Sequence, residues 1–482
     1  MSLRVVLPLL LLGAPEHAAR VLAQSVGAFA PTGNMTTPRL LHTATLLTNG
    51  KVLITGGRTA NIDAAVTAST ELYDPSTGSF AATGAMITPR VLHTATLLPD
   101  GKVLIAGGYT PAANRYGIGR LASAELYDPS AGTFTPTGSM ITTHSCHSAT
   151  LLGNGKVLIT GDSQDVIGHS AAAELYDPAT GKFATTGIHA DPSGDSPLCP
   201  WAALLPDGGV LIASGCESAE LYHPGDGTFS VTGRASSLCG INVNNFAATV
   251  LMNGKVLAAG GGDIQPFNKA QLYDRARGVF TATGDMTRGR FILTATLLLD
   301  GTVLIAGDAT GELYDPANGT FRIVGNMTGA ADNFSTATLL ADGSVLIAGG
   351  GSIFSGSGVS SGAQLYRPQV PVPAPVLFSV SGDQGAILHA GTNRLVSASD
   401  PAATGEALEI YGAGLIEGGV IPPQVAIGGR LAEVLFFGKA PGFAALNQIN
   451  VRVPSGVMPG SAVPVRLTYV SRPSNEVIIG VQ

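Results

Sequence analysis

A short apolar strand, an Asn-Gly or Asp-Gly pair, a second apolar strand ending in glycine, a variable gap, then Leu-Tyr and a turn: this order of positions recurs seven times. The clearest copy is HTATLLPDGKVLIAGG, from His93 to Gly108, which resumes as ELYDPSAGTF from Glu125 to Phe134. Short apolar runs bounded by turn residues read as strands. Each unit therefore holds four: a TATLL-like first strand, a KVLIAGG-like second, an ELYD-like third and a TFTPTG-like fourth. The phenylalanines of the fourth strands, Phe29, Phe80, Phe134, Phe183, Phe229, Phe280 and Phe321, lie 51, 54, 49, 46, 51 and 41 residues apart. Four-stranded antiparallel units at such a period predict a seven-bladed β-propeller, whose radial closure protects the strand edges.

The turns carry the same message. Strands one and two are joined through Asn49-Gly50, Asp100-Gly101, Asn154-Gly155, Asp207-Gly208, Asn253-Gly254, Asp300-Gly301 and Asp342-Gly343. Such pairs tolerate positive φ at both positions, so a type I′ hairpin is expected. Strands three and four are joined by turns such as Asp74-Pro75-Ser76-Thr77-Gly78, a type I pattern closed by a left-handed glycine. Phe29 opens a fourth strand with no Leu-Tyr before it, and Tyr366 ends a third strand with no fourth after it. The N-terminal strand is thus expected to complete the seventh blade.

Within this frame the chain resembles the Kelch family. Gly56-Gly57, Gly107-Gly108, Gly260-Gly261 and Gly349-Gly350 carry the match. So do Tyr73, Tyr127, Tyr176, Tyr222, Tyr273, Tyr314 and Tyr366, and the lead-ins Pro38-Arg39…His42 and Pro89-Arg90…His93. The resemblance covers roughly residues 25–370. Asp162, Ser214 and Asp308 break the glycine pair, and His precedes the first strand in only three blades. The family implies a fold and leaves function to the site. Beyond Tyr366, RPQVPVPAP is a stiff linker. Short β-like runs then follow, such as Ala407–Tyr411, Gln424–Ile427 and Asn447–Val453. They predict an immunoglobulin-like β-sandwich of about 110 residues. GAILHAGT, EIYGAGL, APGFAALNQINVRVPSGVMPG and SNEVIIGVQ are similar to a C-terminal domain of secreted acidobacterial proteins. The fold class is all-β. The expected organisation is a signal peptide over 1–23, a propeller over 24–368, a linker over 369–375 and a sandwich over 376–482.

Composition narrows the function. Charged residues are 12%, about half the usual share, and glycine supplies 64 residues, which suits a turn-rich β protein. The net charge of −7 and the lack of a basic stripe argue against nucleic acid and anionic membrane as partners. Arg4, the apolar run Val5–Leu12 and Val21-Leu22-Ala23 form an export signal. That run is too short to span a bilayer, so the protein is expected to be secreted, cell-surface or periplasmic. In that setting Cys146, Cys199, Cys216 and Cys239 suit two disulfides, with three connectivities open. Cys146–Cys199 with Cys216–Cys239 is the favoured one, because the first two occupy matching positions in adjacent blades.

Strand direction sorts the loops onto two faces. The Asn/Asp-Gly and Asp-Pro turns share one uniform face, called here the turn face. The loops between strands two and three, and the crossings between blades, share the other. Variable loops on a rigid scaffold usually carry function. The loops 58–70, 109–124, 163–173 and 351–363 are long and belong to blades one, two, three and seven, which are neighbours. They form a wall on one side of the variable face. Arg115, Tyr116, Arg120, Asp165 and His169 offer hydrogen-bonding and stacking groups there, and Trp201 opens the first strand of the low fourth blade. These six are the candidate ligand residues, for a glycan or protein. His42, His93 and His147 precede three adjacent first strands, where hydrogen bonding between blades explains them better than a metal. Glu71, Glu125, Glu174, Glu220 and Glu312 recur too regularly for an active site. No catalytic set, metal site or cofactor is assigned.

Copper radical oxidases of the galactose oxidase type have a similar domain order. That family implies a Tyr crosslinked to a Cys, a Tyr directly followed by a His ligand, and a His from the C-terminal domain. Here Tyr222-His223 is the only Tyr-His pair, in a turn, and His389 is the tail's only histidine. The expectation is an exported, non-enzymatic recognition protein. The alternatives are a copper radical oxidase and a structural or adhesive cell-surface protein.

Overall fold

The computed structural model describes residues 27–482, apart from 63–64, 112–117, 162, 166–167, 170–171, 191–199, 214–217, 235–245, 263–264, 292, 328–332, 352–357, 369–373, 417–419, 442 and 444–445. Regular structure among the described residues is all β. Seven four-stranded antiparallel sheets form a β-propeller. Blade one is Thr43–Leu46, Val52–Thr55, Thr70–Asp74 and Ser79–Ala82. Five more blades repeat this order. The seventh joins Thr336–Leu339, Val345–Ala348 and Ala363–Arg367 to the N-terminal strand Ala28–Pro31. Phe29 lies opposite Tyr366 in that last pairing, as the sequence leads one to expect. The first strands stand beside one another around the axis and line a channel.

The second strands are covered on both sides by neighbouring blades. Val52, Leu53 and Ile54 are fully buried, and so are their counterparts such as Val345, Leu346 and Ile347. A continuous apolar run, without polar alternation, is what such two-sided burial requires. Burying each of these side chains contributes about 1.5–3 kcal/mol.

The tyrosines after Leu bolt blades together from the outside. Tyr73, Tyr127, Tyr176, Tyr222, Tyr273 and Tyr314 each place the hydroxyl 2.8–3.0 Å from a threonine hydroxyl in or just after the preceding blade's last strand. At the remaining seam, between blades six and seven, Val324 stands where the others have threonine. There Phe29 packs with Val324 and Tyr366 instead.

The turn face corrects one expectation. In all seven Asn/Asp-Gly turns the glycine alone has positive φ, from 79° to 89°. In blade one Gly50 N–H bonds to Leu47 O and Leu47 N–H to Lys51 O. This is a type I turn followed by a left-handed glycine bulge, not type I′. The Asn or Asp side chain accepts from the N–H two residues on, as Asn49 Oδ1 does from Lys51 at 3.1 Å. A two-residue turn with both φ positive does occur at Asp308-Ala309, where blade six lacks its glycine pair.

Residues 376–481 form one 12-stranded sheet folded over its own core in a sandwich-like half-barrel. The long strand Arg430–Lys439 makes the fold. It pairs with Gln424–Ile427 at one end and Asn447–Arg452 at the other, with a register shift between Val434 and Phe436. Leu408, Ile410, Val425, Ile449, Val465 and Ile479 fill the interior. This unit docks on the turn face. Arg472, almost fully buried, donates from Nε and Nη2 to Ala341 O, and Val420 N–H bonds to Met252 O at 3.2 Å. Burial lowers the Arg472 pKa to about 10. Val470 packs against both the sandwich core and blades six and seven.

Candidate functional site

On the variable face, five of the seven blade crossings are pinned by a buried bracket. Arg39 Nη2 meets Glu71 Oε1 at 3.0 Å, while Glu71 accepts the N–H groups of Thr36 and Thr37. Arg39 Nη1 donates to Gly56 O and Ser69 O. Arg90 and Glu125 repeat this in blade two, and Arg290 with Glu312 does so in blade six. Burial lowers the Arg39 and Arg90 pKa values, against the opposing pull of their glutamates. His144 replaces the arginine opposite Glu174 at 3.2 Å, and His189 bonds Glu220. The recurring glutamates are therefore structural, and the Pro-Arg lead-in is a loop anchor.

The three histidines are latches between blades. His42 Nε2 lies 3.2 Å from Thr336 Oγ1 of blade seven. His93 Nε2 lies within 3.1 Å of Thr43 and Thr55 hydroxyls of blade one, and His147 Nε2 is 3.0 Å from Thr94 of blade two. The first glycine of each pair makes room for the next blade's ring. A Cβ on Gly56, Gly107 or Gly349 would come within 2.6–2.8 Å of Cε1 of His93, His147 or His42. In blade six Leu293 takes that place above Gly260. Burial depresses the His42 and His93 pKa values to about 3, assisted by Arg39 and Arg90 respectively, and His147 lies well below its ordinary value.

The residue before each histidine is left-handed: Leu41 (φ 56°), Leu92 (φ 56°) and Cys146 (φ 51°). Phe334 (φ 65°) holds the matching place in blade seven. Cys146 is disulfide-bonded; Cys199, Cys216 and Cys239 lie outside the described residues.

The candidate ligand residues divide as follows. Arg115 and Tyr116 lie outside the described residues. Arg120 ends a small hairpin, Tyr109–Pro111 with Ile118–Arg120, and its guanidinium carbon is 5.3 Å from the Tyr109 ring centre. Asp165 and His169 fall on the strands Ser163–Asp165 and Gly168–His169, which pair with each other and, through Gln164, with Thr143. Trp201 is half-buried between blades four and five, edge-on to Phe246 at 5.6 Å. Its indole N–H is buried without a partner. The long loops of blades two and three thus carry extra sheet, whereas blade six has only the Asp308-Ala309 turn.

A cavity of about 1730 Å³ lies at the opposite end of the channel. The first strands, Val420–Gln424 and Leu431–Phe437 line it. It has no signature in the sequence, because it arises only from docking of the sandwich.

No protein-family profile and no curated protein matches the chain. Among solved structures the chain is similar to a fungal alcohol oxidase of the AA5 family, determined in complex with copper. The TM-score is 0.61 at 18% identity, over 95% of this chain and 100% of that one. At that identity the likeness establishes the fold. Among the described residues, those that the copper centre would call on are not brought together. Among the described residues no group of three or more His, Cys, Asp or Glu is placed to hold a metal. Tyr222 is buried and bonded to Thr186, His223 bonds Ser230 beside a turn, and His389 is engaged by Glu406 and Asp400 O.

Proposed function

We propose that the chain is an exported recognition protein that binds a glycan or protein ligand on the variable face, over the channel mouth, without chemistry of its own. The observation that carries this is the use of the ionisable groups around the mouth. The described Arg–Glu brackets and histidine latches are spent on loop-anchoring and blade-to-blade bonds. What distinguishes the face is instead the set of long loops on the neighbouring blades seven, one, two and three. A copper alcohol oxidase is the second reading. The structural match favours it over a non-catalytic protein, and the domain order agrees. The side chains oppose it, since neither Tyr222-His223 nor His389 is placed as that chemistry needs. The organisation into export signal, propeller, linker and sandwich, and the pairing Cys146–Cys199 with Cys216–Cys239, belong to the same proposal.

The test is a screen of purified protein against arrayed glycans and peptides. It is followed by the combined variant Arg115→Ala, Tyr116→Ala, Arg120→Ala. Binding should weaken while the melting temperature stays nearly constant. Unaltered affinity in the folded variant would move the site off this face.

A further inference from the structure

Left-handed backbone is costly for residues other than glycine. This chain mostly puts glycine at such places, including all seven Asn/Asp-Gly turns, and its other non-glycine cases, Asp308-Ala309, Asn393 and Val470-Ser471, do not recur from blade to blade. Yet Leu41, Leu92 and Phe334 hold this conformation at equivalent positions, two residues before the first strands, with Cys146 completing the row. The backbone there is useful. Cys146 N–H bonds to Leu92 O at 3.0 Å, and Leu92 N–H approaches Leu41 O at 3.5 Å. Glycine would make the same bonds without strain, so the bonds do not explain the side chains. Core packing does not explain them either. All three are half-buried, and none belongs to the hydrophobic clusters formed among the described residues. Strain retained in this way points to a job at a site.

The place agrees. These residues stand at the channel mouth on blades seven, one, two and three, the blades with the long loops. Each loop is also tied to its neighbour in this row. Leu40 and Arg58 exchange two backbone bonds of 2.9 and 3.0 Å, Val91 and Tyr109 exchange bonds of 2.7 and 3.0 Å, and Gly351 N–H bonds to Asn333 O at 2.9 Å. An apolar row and a wall base bearing Arg58, Tyr109 and Arg120 are thus one hydrogen-bonded unit.

We propose that Leu41, Leu92 and Phe334 form an apolar collar that takes the aromatic or aliphatic end of an amphiphilic ligand, whose oxygen-rich end lies on the wall. Aryl and alkyl glycosides are the class that fits. This rests on the variable-face proposal and names its ligand class. Guanidinium groups donate to hydroxyl and carboxylate oxygens, and the tyrosine face stacks on a sugar ring. Burying a ring or short chain in the collar supplies the remaining affinity.

The experiment compares p-nitrophenyl and octyl hexosides with the parent free sugars, using titration calorimetry and saturation-transfer NMR on the full chain. The aglycone should improve affinity about tenfold or more, the size expected for burying one apolar group. Its protons should receive the strongest saturation. Leu92→Gly and Leu41→Gly should abolish that advantage while the melting temperature holds or rises. Leu92→Asn, which tolerates the left-handed conformation, is the second variant if glycine loosens the fold. Phe436→Ser, in the cavity at the far end, should leave the advantage intact. If the glycine variants keep the advantage but the Arg115, Tyr116 and Arg120 variant loses binding, the collar is wrong and the face is right. If Phe436→Ser alone removes it, both are wrong. Equal affinity for glycosides and free sugars, or no binding of either, also overturns the collar.

Discussion

A histidine of this protein is better understood from its neighbours than from its own chemistry. His42 and His93 face threonine hydroxyls across a blade seam and stay neutral because burial holds their pKa near 3. An unfolded histidine takes up a proton near 6.5, so the unfolded state binds more protons at any pH between the two values. The stability from neutral burial is therefore complete above pH 6.5 and is lost as pH falls toward 3. Each histidine contributes about 1.4 kcal/mol per pH unit across that window. Urea unfolding between pH 7 and 4.5 should show a steep loss, and His93→Gln should flatten it by about one proton's worth. An identical slope in the variant would contradict the latch. The histidine positions were legible in the sequence because they recur before matching strands. The left-handed residues before them were not, since Leu, Cys and Phe give no local signal for that conformation. The turn glycines were legible, but their geometry was misassigned. Pro99 and Pro206, just before Asp-Gly, were the clue, because proline fits the first corner of a type I turn.

Each blade is an element whose edges are satisfied by its neighbours, and the closing strand Ala28–Pro31 is the one place where the ring depends on distant sequence. Deleting residues 25–34 should expose the edge of Ala363–Arg367 and promote aggregation. An unchanged melting temperature would refute closure by this strand. Inside a blade, the buried bracket dominates the loops. Glu125→Ala should cost about 3–5 kcal/mol, because Arg90 is left buried with its charge unmatched. Replacing Arg90 and Glu125 together with Met and Leu should cost less. Denaturant melts of the three variants decide this, and equal losses for the single and double variants would contradict it. The blade count, the strand order and the closing strand were all readable because the repeat writes each turn separately. The brackets were readable only as recurrence. Their pairing of Arg39 with Glu71 joins residues 32 apart, a contact no local pattern announces.

As a whole, the molecule joins a propeller and a sandwich-like half-barrel at the turn face, with a large cavity between them and the tall loops at the other end. This docking had no sequence signature. Arg472 and Val470 looked like ordinary tail residues until the fold placed them on Ala341 and on blades six and seven. Architecture of this kind is shared with a copper alcohol oxidase, while Tyr222, His223 and His389 are each bonded elsewhere in the fold. Copper content separates the two accounts most directly. Protein purified from its native host, then equilibrated with copper(II) and freed of excess ion, is to be analysed by mass spectrometry of the metal. A recognition protein should retain far less than one copper per chain and show no visible radical absorption after mild oxidation. One tightly held copper per chain, with that absorption, would contradict the account and make the protein an oxidase.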